Sequence, residues 1–382
     1  MSLALVYSQS PAKYKEAARI AWRPPTLRGP AVPIGVTGQT RANGHGRPPK
    51  APATHDIAAS QGQISRFEHQ KPILGSPSLH IAQMASHTHN SKIDEMLSTT
   101  HQHSVQIDQI AKDRKWFRPQ ENGLFYPIVQ KYLDGTIEKD ETTSKLFGPI
   151  DENINASKLD DVDFQDLWFS IIHSARRVSF HTPLKHEKLV GLVAAFKSHS
   201  IPGNEKYNYL YNSLTDFGIA CREAYNDAPQ LDHGFTEPEI DAWANMNFFF
   251  ALITEKEVDD LSLYAIWAMR QALEDIPQDE PKITAAQSYD ALTPAAAVWV
   301  FALGARLFRM EKDLTPSDRK QGNPARGGEL WTGKSEFSRE RWALWKRRFA
   351  LIGDMKEVSE QTRTVARDAV QEMERSETFE RI

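Results

Sequence analysis

Gly328-Glu329-Leu330-Trp331-Thr332-Gly333-Lys334-Ser335 fits the spacing GxxxxGK[ST]. With that spacing, backbone amides of a glycine turn can cradle phosphate while the lysine and hydroxyl reach phosphate oxygens and a metal ion. The chemistry needs a strand before the turn and a helix after it. Here Gln321–Gly327 reads as loop, and Leu330 and Trp331 put bulk where backbone must wrap the phosphate. No apolar strand ending in aspartate offers a second metal-holding partner. The stretch is therefore expected to be a structural turn ahead of the helix that carries Trp342.

Two arginines fall on apolar helical stripes. Leu263, Trp267, Arg270 and Glu274 share one stripe, and Trp299, Leu303, Arg306 and Met310 share another. A guanidinium in such a place must be paired, because a buried charge without a partner is very costly. The expected arrangement is internal: an Arg270–Glu274 ion pair, or a guanidinium over Trp267 or Trp299. The functional alternative is a pocket in which arginines hold an anion above aromatic walls. Trp168, Trp243, Trp267, Arg270, Trp299, Arg306 and Arg341 are the candidate ligand-binding residues on that alternative.

Other reactive side chains are poorly placed for catalysis, and no catalytic residue is assigned. His87/His89 and His101/His103 have chelating spacing, but they lie in chain expected to be disordered, without carboxylates or cysteines beside them. No metal is expected. His173 sits off the apolar face of its helix near Arg176 and Arg177 and reads as exposed, and His233 reads as a loop residue. Cys221 follows Phe217, Gly218 and Ala220 on a helix and reads as a small core residue. Glu239/Asp241 and Asp259/Asp260 sit at helix starts, where they complement the dipole. There is no G-x-S-x-G elbow and no H-E-x-x-H pair.

These residues need elements to hold them, and the chain supplies helices. From about residue 105 the apolar spacing is helical. In Asp161–Phe180, Phe164, Leu167, Trp168, Ile171, Ile172, Ala175 and Val178 recur every three or four residues. Leu189, Leu192, Val193 and Phe196 repeat the pattern until Ile201-Pro202-Gly203, and Tyr207–Tyr225 predicts one further helix. Thr236-Glu237-Pro238-Glu239 is a capping box opening a helix through Trp243 and Phe250. Thr293-Pro294 predicts a helix start of the same kind, Ser338 a cap, and Met355–Arg375 a last, mostly polar helix.

Composition agrees. Of 382 residues, 40% are hydrophobic and 25% charged, as in an ordinary globular protein. The first 90 residues hold ten of the 22 prolines, seven of the 20 glycines, and ten Lys/Arg against three acids. That tail carries +7, which leaves −11 for the rest of a chain whose total is −4. Residues 1–105 are expected to be a disordered, basic, Pro/Gly/His-rich tail, or a gene-start extension ahead of Met84 or Met96. No apolar run is expected to reach the roughly 18–20 residues of a membrane span, Phe248–Ile253 being the longest candidate. One cysteine fits a reducing compartment, cytoplasmic or nuclear, with mitochondrial import as the lesser reading.

Three groups of residues carry a family resemblance. Tyr132-Leu133-Asp134-Gly135, Asp166-Leu167-Trp168 with Ile171-Ile172-His173, and Leu189-Val190 with Ala195 form the first. Tyr264-Ala265-Ile266-Trp267-Ala268-Met269-Arg270 and Ala296-Ala297-Val298-Trp299 form the second. Leu330-Trp331-Thr332-Gly333 with Phe337-Ser338 and Arg341-Trp342 form the third. Together, over roughly residues 120–352, the chain resembles the fungal family labelled domain of unknown function 3632. The resemblance implies a soluble helical protein and carries no catalytic residue or cofactor across.

The expectation is thus an all-α fold: one multi-helix domain, residues 115–376, with a tryptophan-rich core behind the tail. The expected role is a non-catalytic interaction or scaffold protein of the cell interior, with a protein partner. The alternative is a small-molecule-binding protein or accessory enzyme of fungal secondary metabolism, with an anionic or aromatic ligand in an aromatic–arginine pocket. Arg339, Arg341, Lys346, Arg347 and Arg348 would make one helix face basic, yet the acidic body argues against nucleic acid as the partner.

Overall fold

Leu167, Trp168, Ile171, Ile172 and Ala175 are essentially inaccessible to solvent, and so are Ser170, His173 and Ser174 between them. The helix they form, α4 (Phe164–Arg177), is thus buried on nearly every side rather than along one stripe. The computed structural model describes residues 98–114, 117, 123–229, 235–318, 320 and 322–378. Residues 1–97 of the tail expected over 1–105, with His87 and His89, lie outside the described residues, as does His233.

Among the described residues the architecture is all-α, as the sequence predicts. Helices α1 (His103–Asp113), α2 (Tyr126–Leu133) and α3 (Lys139–Asn155) precede α4. After it come α5 (Pro183–Ser198), α6 (Asn208–Asn212), α7 (Phe217–Asn226), α8 (Glu237–Glu255) and α9 (Ser262–Met269). Then follow α10 (Ala285–Arg309), α11 (Arg339–Asp354) and α12 (Glu360–Thr378). One antiparallel pair of two-residue strands, Lys312–Asp313 with Glu336–Phe337, clips the loop between α10 and α11. The centre is the α8–α10 pair, with α4 against α8 and α12 against α10. Gly304 lets α12 approach α10: a Cβ there would sit 2.6 Å from Ser376 Oγ.

Several boundaries differ from those the sequence predicts. Helix α1 starts ahead of residue 115; Ile107, Ile110 and Ala111 bury against α4 and α8. His103 is therefore helical, with Nδ1 2.9 Å from Asp241 Oδ2. The Tyr207–Tyr225 helix is two, because Leu214 and Asp216 take left-handed φ values of 51° and 63° between α6 and α7. Thr293-Pro294 opens nothing. Pro294 lies inside α10, which starts nine residues earlier at a Thr284–Gln287 capping box. The capping boxes at Thr236 and the Ser338 cap form as predicted.

Helix α10 also corrects the expectation about membrane spans. Its 25 residues and a mean hydropathy of 1.6 over its most apolar stretch make it long and apolar enough to cross a bilayer. Here it lies between α8 and α12, most of it buried by protein. It is apolar because it is the core of the bundle.

Candidate functional site

The buried carboxylate of Glu274 accepts four hydrogen bonds. Helix α9 ends in a π-turn over Arg270–Glu274, closed by an Asp275 N–H to Arg270 C=O bond of 2.8 Å. The extra residue in that turn rotates Glu274 off the Trp267/Arg270 stripe and into the core, where it is inaccessible to solvent. Arg341 of α11, equally buried, donates to it from Nε to Oε1 at 2.7 Å and from Nη2 to Oε2 at 3.0 Å. Trp345 Nε1 donates to Oε1 at 2.6 Å, and the Gly328 amide to Oε2 at 2.9 Å.

The carboxylate is thus caged by donors from α11 and from the glycine-rich loop. The remaining Arg341 donors reach the carbonyls of Ala325, Arg326 and Glu336, and its guanidinium carbon lies 5.6 Å from the ring centres of both Trp331 and Trp345. The GxxxxGKS stretch is part of this cage. Its first glycine packs so tightly that a Cβ would lie 2.3 Å from Asp275 Oδ1 and 2.8 Å from the Glu274 carbonyl carbon. The anion held by this loop's amide is the protein's own glutamate.

The expected Arg270–Glu274 pair does not form. Arg270 is half-buried and donates from Nη1 to the carbonyls of Pro324 and Arg326 at 3.2 Å each, while Trp267 Nε1 donates to Pro324 at 2.8 Å. These two side chains hold the loop that closes the cage. Arg306 reaches Thr254 C=O at 3.0 Å and the exposed Glu257 carboxylate at 3.2 Å. Trp168 donates to Thr215 C=O at 2.7 Å, and Trp299 to Asn247 Oδ1 at 2.9 Å. The Trp243 ring centre lies 4.5 Å from that of Tyr225, with the two planes tilted by 54°. Arg270, Trp267 and Arg341 thus meet at the Pro324–Arg326 loop, with Trp243 near Trp267 across the Tyr225 ring, while Arg306, Trp168 and Trp299 sit elsewhere.

The basic face expected on α11 is also redistributed. Arg341 is interior, and Arg348 donates to Leu273 C=O at 3.1 Å and Tyr289 Oη at 2.7 Å. Lys346 pairs with Glu377 at 2.7 Å, and the Arg339 guanidinium covers the Phe308 ring at 3.6 Å.

Sequence reasoning missed three polar groupings. His173 is buried, not exposed; its Nε2 meets Asp108 Oδ1 of α1 at 2.6 Å, and Tyr126 Oη and Arg177 Nε reach the same carboxylate oxygen at 3.2 and 3.0 Å. Beside it, Arg114 and Arg176 pair with Asp227, and Arg114 also with Glu239. The third lies in an open groove of about 470 Å³ between α3 and α5. There Asp151 accepts from Tyr211 Oη at 2.6 Å and from His199 Nε2 at 2.8 Å. Helical spacing of Asp151 after Phe147 was a usable signal; the partner 48 residues later was not.

Burial also makes two histidines poor bases. Desolvation lowers His173, and it pushes His186 down to about 4. His186 Nε2 donates to Val178 C=O at 2.8 Å, and its Nδ1 has no partner among the described residues. The folded pKa lies below the unfolded one, near 6.5, so the neutral ring's contribution is full above that pH and fades as pH falls toward 4. Asp166, raised to about 6 mainly by burial, shifts stability the opposite way over that range. A differential measurement removes it. Relative to a His186→Phe variant, which keeps the ring packed on Phe248, the chain should lose up to about 3 kcal/mol between pH 6.5 and 4. Parallel urea titrations at several pH values check this, and a constant difference would show that His186 is solvated.

Cys221 is fully buried, with its thiol pushed well up by desolvation, and packs as a core residue. Among the described residues no cluster of three or more His, Cys, Asp or Glu side chains has metal-binding geometry.

A family model described as Protein of unknown function (DUF3632) matches residues 168–349. Those residues run from Trp168 in α4 to Phe349 in α11 and include every member of the Glu274 cage. His199 lies within them, and Asp151 and Lys139 lie before them. No curated protein and no solved structure matches the chain.

Proposed function

We propose, for a chain whose residues 168–349 match the DUF3632 family model, the role of a non-catalytic helical interaction protein. One observation carries this reading. The family segment's strongest polar constellation, Glu274 with Arg341, Trp345 and Gly328, is turned inward and closed on itself. Such a cage fixes the relative placement of α9, α11 and the loop between α10 and α11, which is what a rigid platform for a partner requires. The setting proposed with it is the cytoplasm or nucleus of a fungal cell. The lone cysteine and the family resemblance support that setting.

Cross-linking in source cells at native expression level, followed by purification, tests the role. The chain should emerge in a defined complex heavier than its own 43.3 kDa, with cross-links on the described helices. Recovery only as a free monomer would sink the reading.

A second reading, binding of a small molecule, is favoured by the groove between α3 and α5. Its place in fungal secondary metabolism rests on the resemblance alone. The aromatic–arginine pocket does not support it, because those arginines are committed to protein acceptors.

A further inference from the structure

We propose that the groove between α3 and α5 is a binding site for a small neutral polyhydroxylated ligand, a mono- or disaccharide in size and chemistry. The proposal rests on the small-molecule reading above and gives it a site and a ligand class.

Its volume of about 470 Å³ falls within the range of small-molecule sites. Room is made by small residues: Gly148 of α3 has no atom within 4 Å of where its Cβ would lie, and Ala195 faces it from α5. The chemistry of the lining is balanced. Lys139 brings donors and Asp140 acceptors; Thr143 and Ser198, whose protons go to the Asp140 and Ala194 carbonyls, bring acceptors, while Ser144 and Ser200 bring hydroxyls that can donate. A site with one exposed cation beside one exposed carboxylate has no surplus charge to attract an ion. It suits a ligand whose every hydroxyl both donates and accepts.

His199 adds direction. Asp151 has one oxygen occupied by Tyr211 and the other by His199 Nε2, so its charge is satisfied within the wall. That pairing sets the proton on Nε2 and leaves Nδ1 as an acceptor, with no partner among the described residues. Phe147 and Tyr211, with ring centres 5.0 and 4.5 Å away, hold the imidazole in place. An oriented imidazole acceptor on a wall that also offers the Lys139 ammonium and the Ser144 and Ser200 hydroxyls as donors is the hydrogen-bonding complement of a vicinal diol.

The test uses the full chain, with nitrogen-15 histidine spectra and calorimetry against glucose, maltose and mannitol, and against inorganic phosphate. A saturable shift of His199 Nδ1 with at least one sugar or polyol is expected. Gly148→Leu should weaken that binding at least tenfold. Because Gly148 precedes Pro149 in α3, where a side chain works against the helix, Ser144→Leu on the same wall is the second variant, and it should weaken binding in the same way with a native helical spectrum. Sugar binding that persists in Gly148→Leu would overturn the site. Phosphate binding without sugar binding would overturn the ligand class and leave the small-molecule reading standing. If the sugars and phosphate all fail, a thermal-shift screen against fractionated metabolites separates the two ideas. A shift abolished by Gly148→Leu would again overturn only the class, and no shift would overturn both.

Discussion

Glu274→Ala should lower the unfolding free energy by about 3–5 kcal/mol, the usual cost of removing one partner from a buried ion pair. The reason is asymmetry. Alanine leaves Arg341 charged and inaccessible, with the Trp345 indole and the Gly328 amide also deprived of their acceptor. A domain of ordinary stability holds only about 5–15 kcal/mol in total, so the variant should melt many degrees lower or fail to accumulate. Glu274→Gln keeps the volume and one acceptor oxygen and should fall between. Replacing both partners, as in Glu274→Leu with Arg341→Met, should recover only part of the loss: the desolvation cost disappears with the charges, while the Trp345 indole, the Gly328 amide and the carbonyls that Arg341 served stay without partners. Urea unfolding of the set checks the order. A loss below about 1 kcal/mol in Glu274→Ala would mean that water enters the cage.

Trp299→Ala should cost as much or more by a different route. Trp299 is inaccessible at the centre of the α8–α10 seam. Truncation forfeits transfer energy and leaves a cavity, about 3–5 kcal/mol for a large aromatic. It also strips Asn247 Oδ1 of its indole donor, about 1–3 kcal/mol more, because that amide is buried and its nitrogen already donates to Trp243 C=O at 2.9 Å. Trp299→Phe separates the contributions: it keeps most of the volume and loses the hydrogen bond. Denaturant titrations with an unchanged slope would assign both differences to the folded state. If alanine proved no worse than phenylalanine, the seam would not be close-packed around the indole.

What the sequence made legible is local. The Phe164–Val178 periodicity, the Thr236 capping box and the Ser338 cap depend on residues a few positions apart, and the structure keeps all three. The start of α10 was equally local, at Thr284 and Gln287; Thr293-Pro294 mimicked the signal because proline fits a first turn as well as a packed helix that tolerates one missing hydrogen bond. The π-turn at Arg270 defeats a 3.6-residue stripe by construction, which is why Arg270 was read as interior and Glu274 as its neighbour's partner. The α6–α7 break depends on two non-glycine residues in left-handed conformation, for which sequence gives little warning. The polar groupings were the least legible. Glu274 finds Arg341 across 67 positions and Asp151 finds His199 across 48, and no periodicity links such pairs.

The spread of the Glu274 cage along the chain bears on the order of events as the protein folds. Its donors arrive 54, 67 and 71 residues after the carboxylate, so α9 is synthesised long before anything exists to neutralise its last turn. Until Arg341 is available, closing the core around residue 274 would bury a bare anion, and the chain does better to leave that end of α9 in water. Native contacts of such long range also carry a loop-closure cost before they return anything, which slows the step that makes them. The cage should therefore act as a checkpoint: the α1–α8 half can pack early, while the seam between α9 and α11 sets late and locks at a single register.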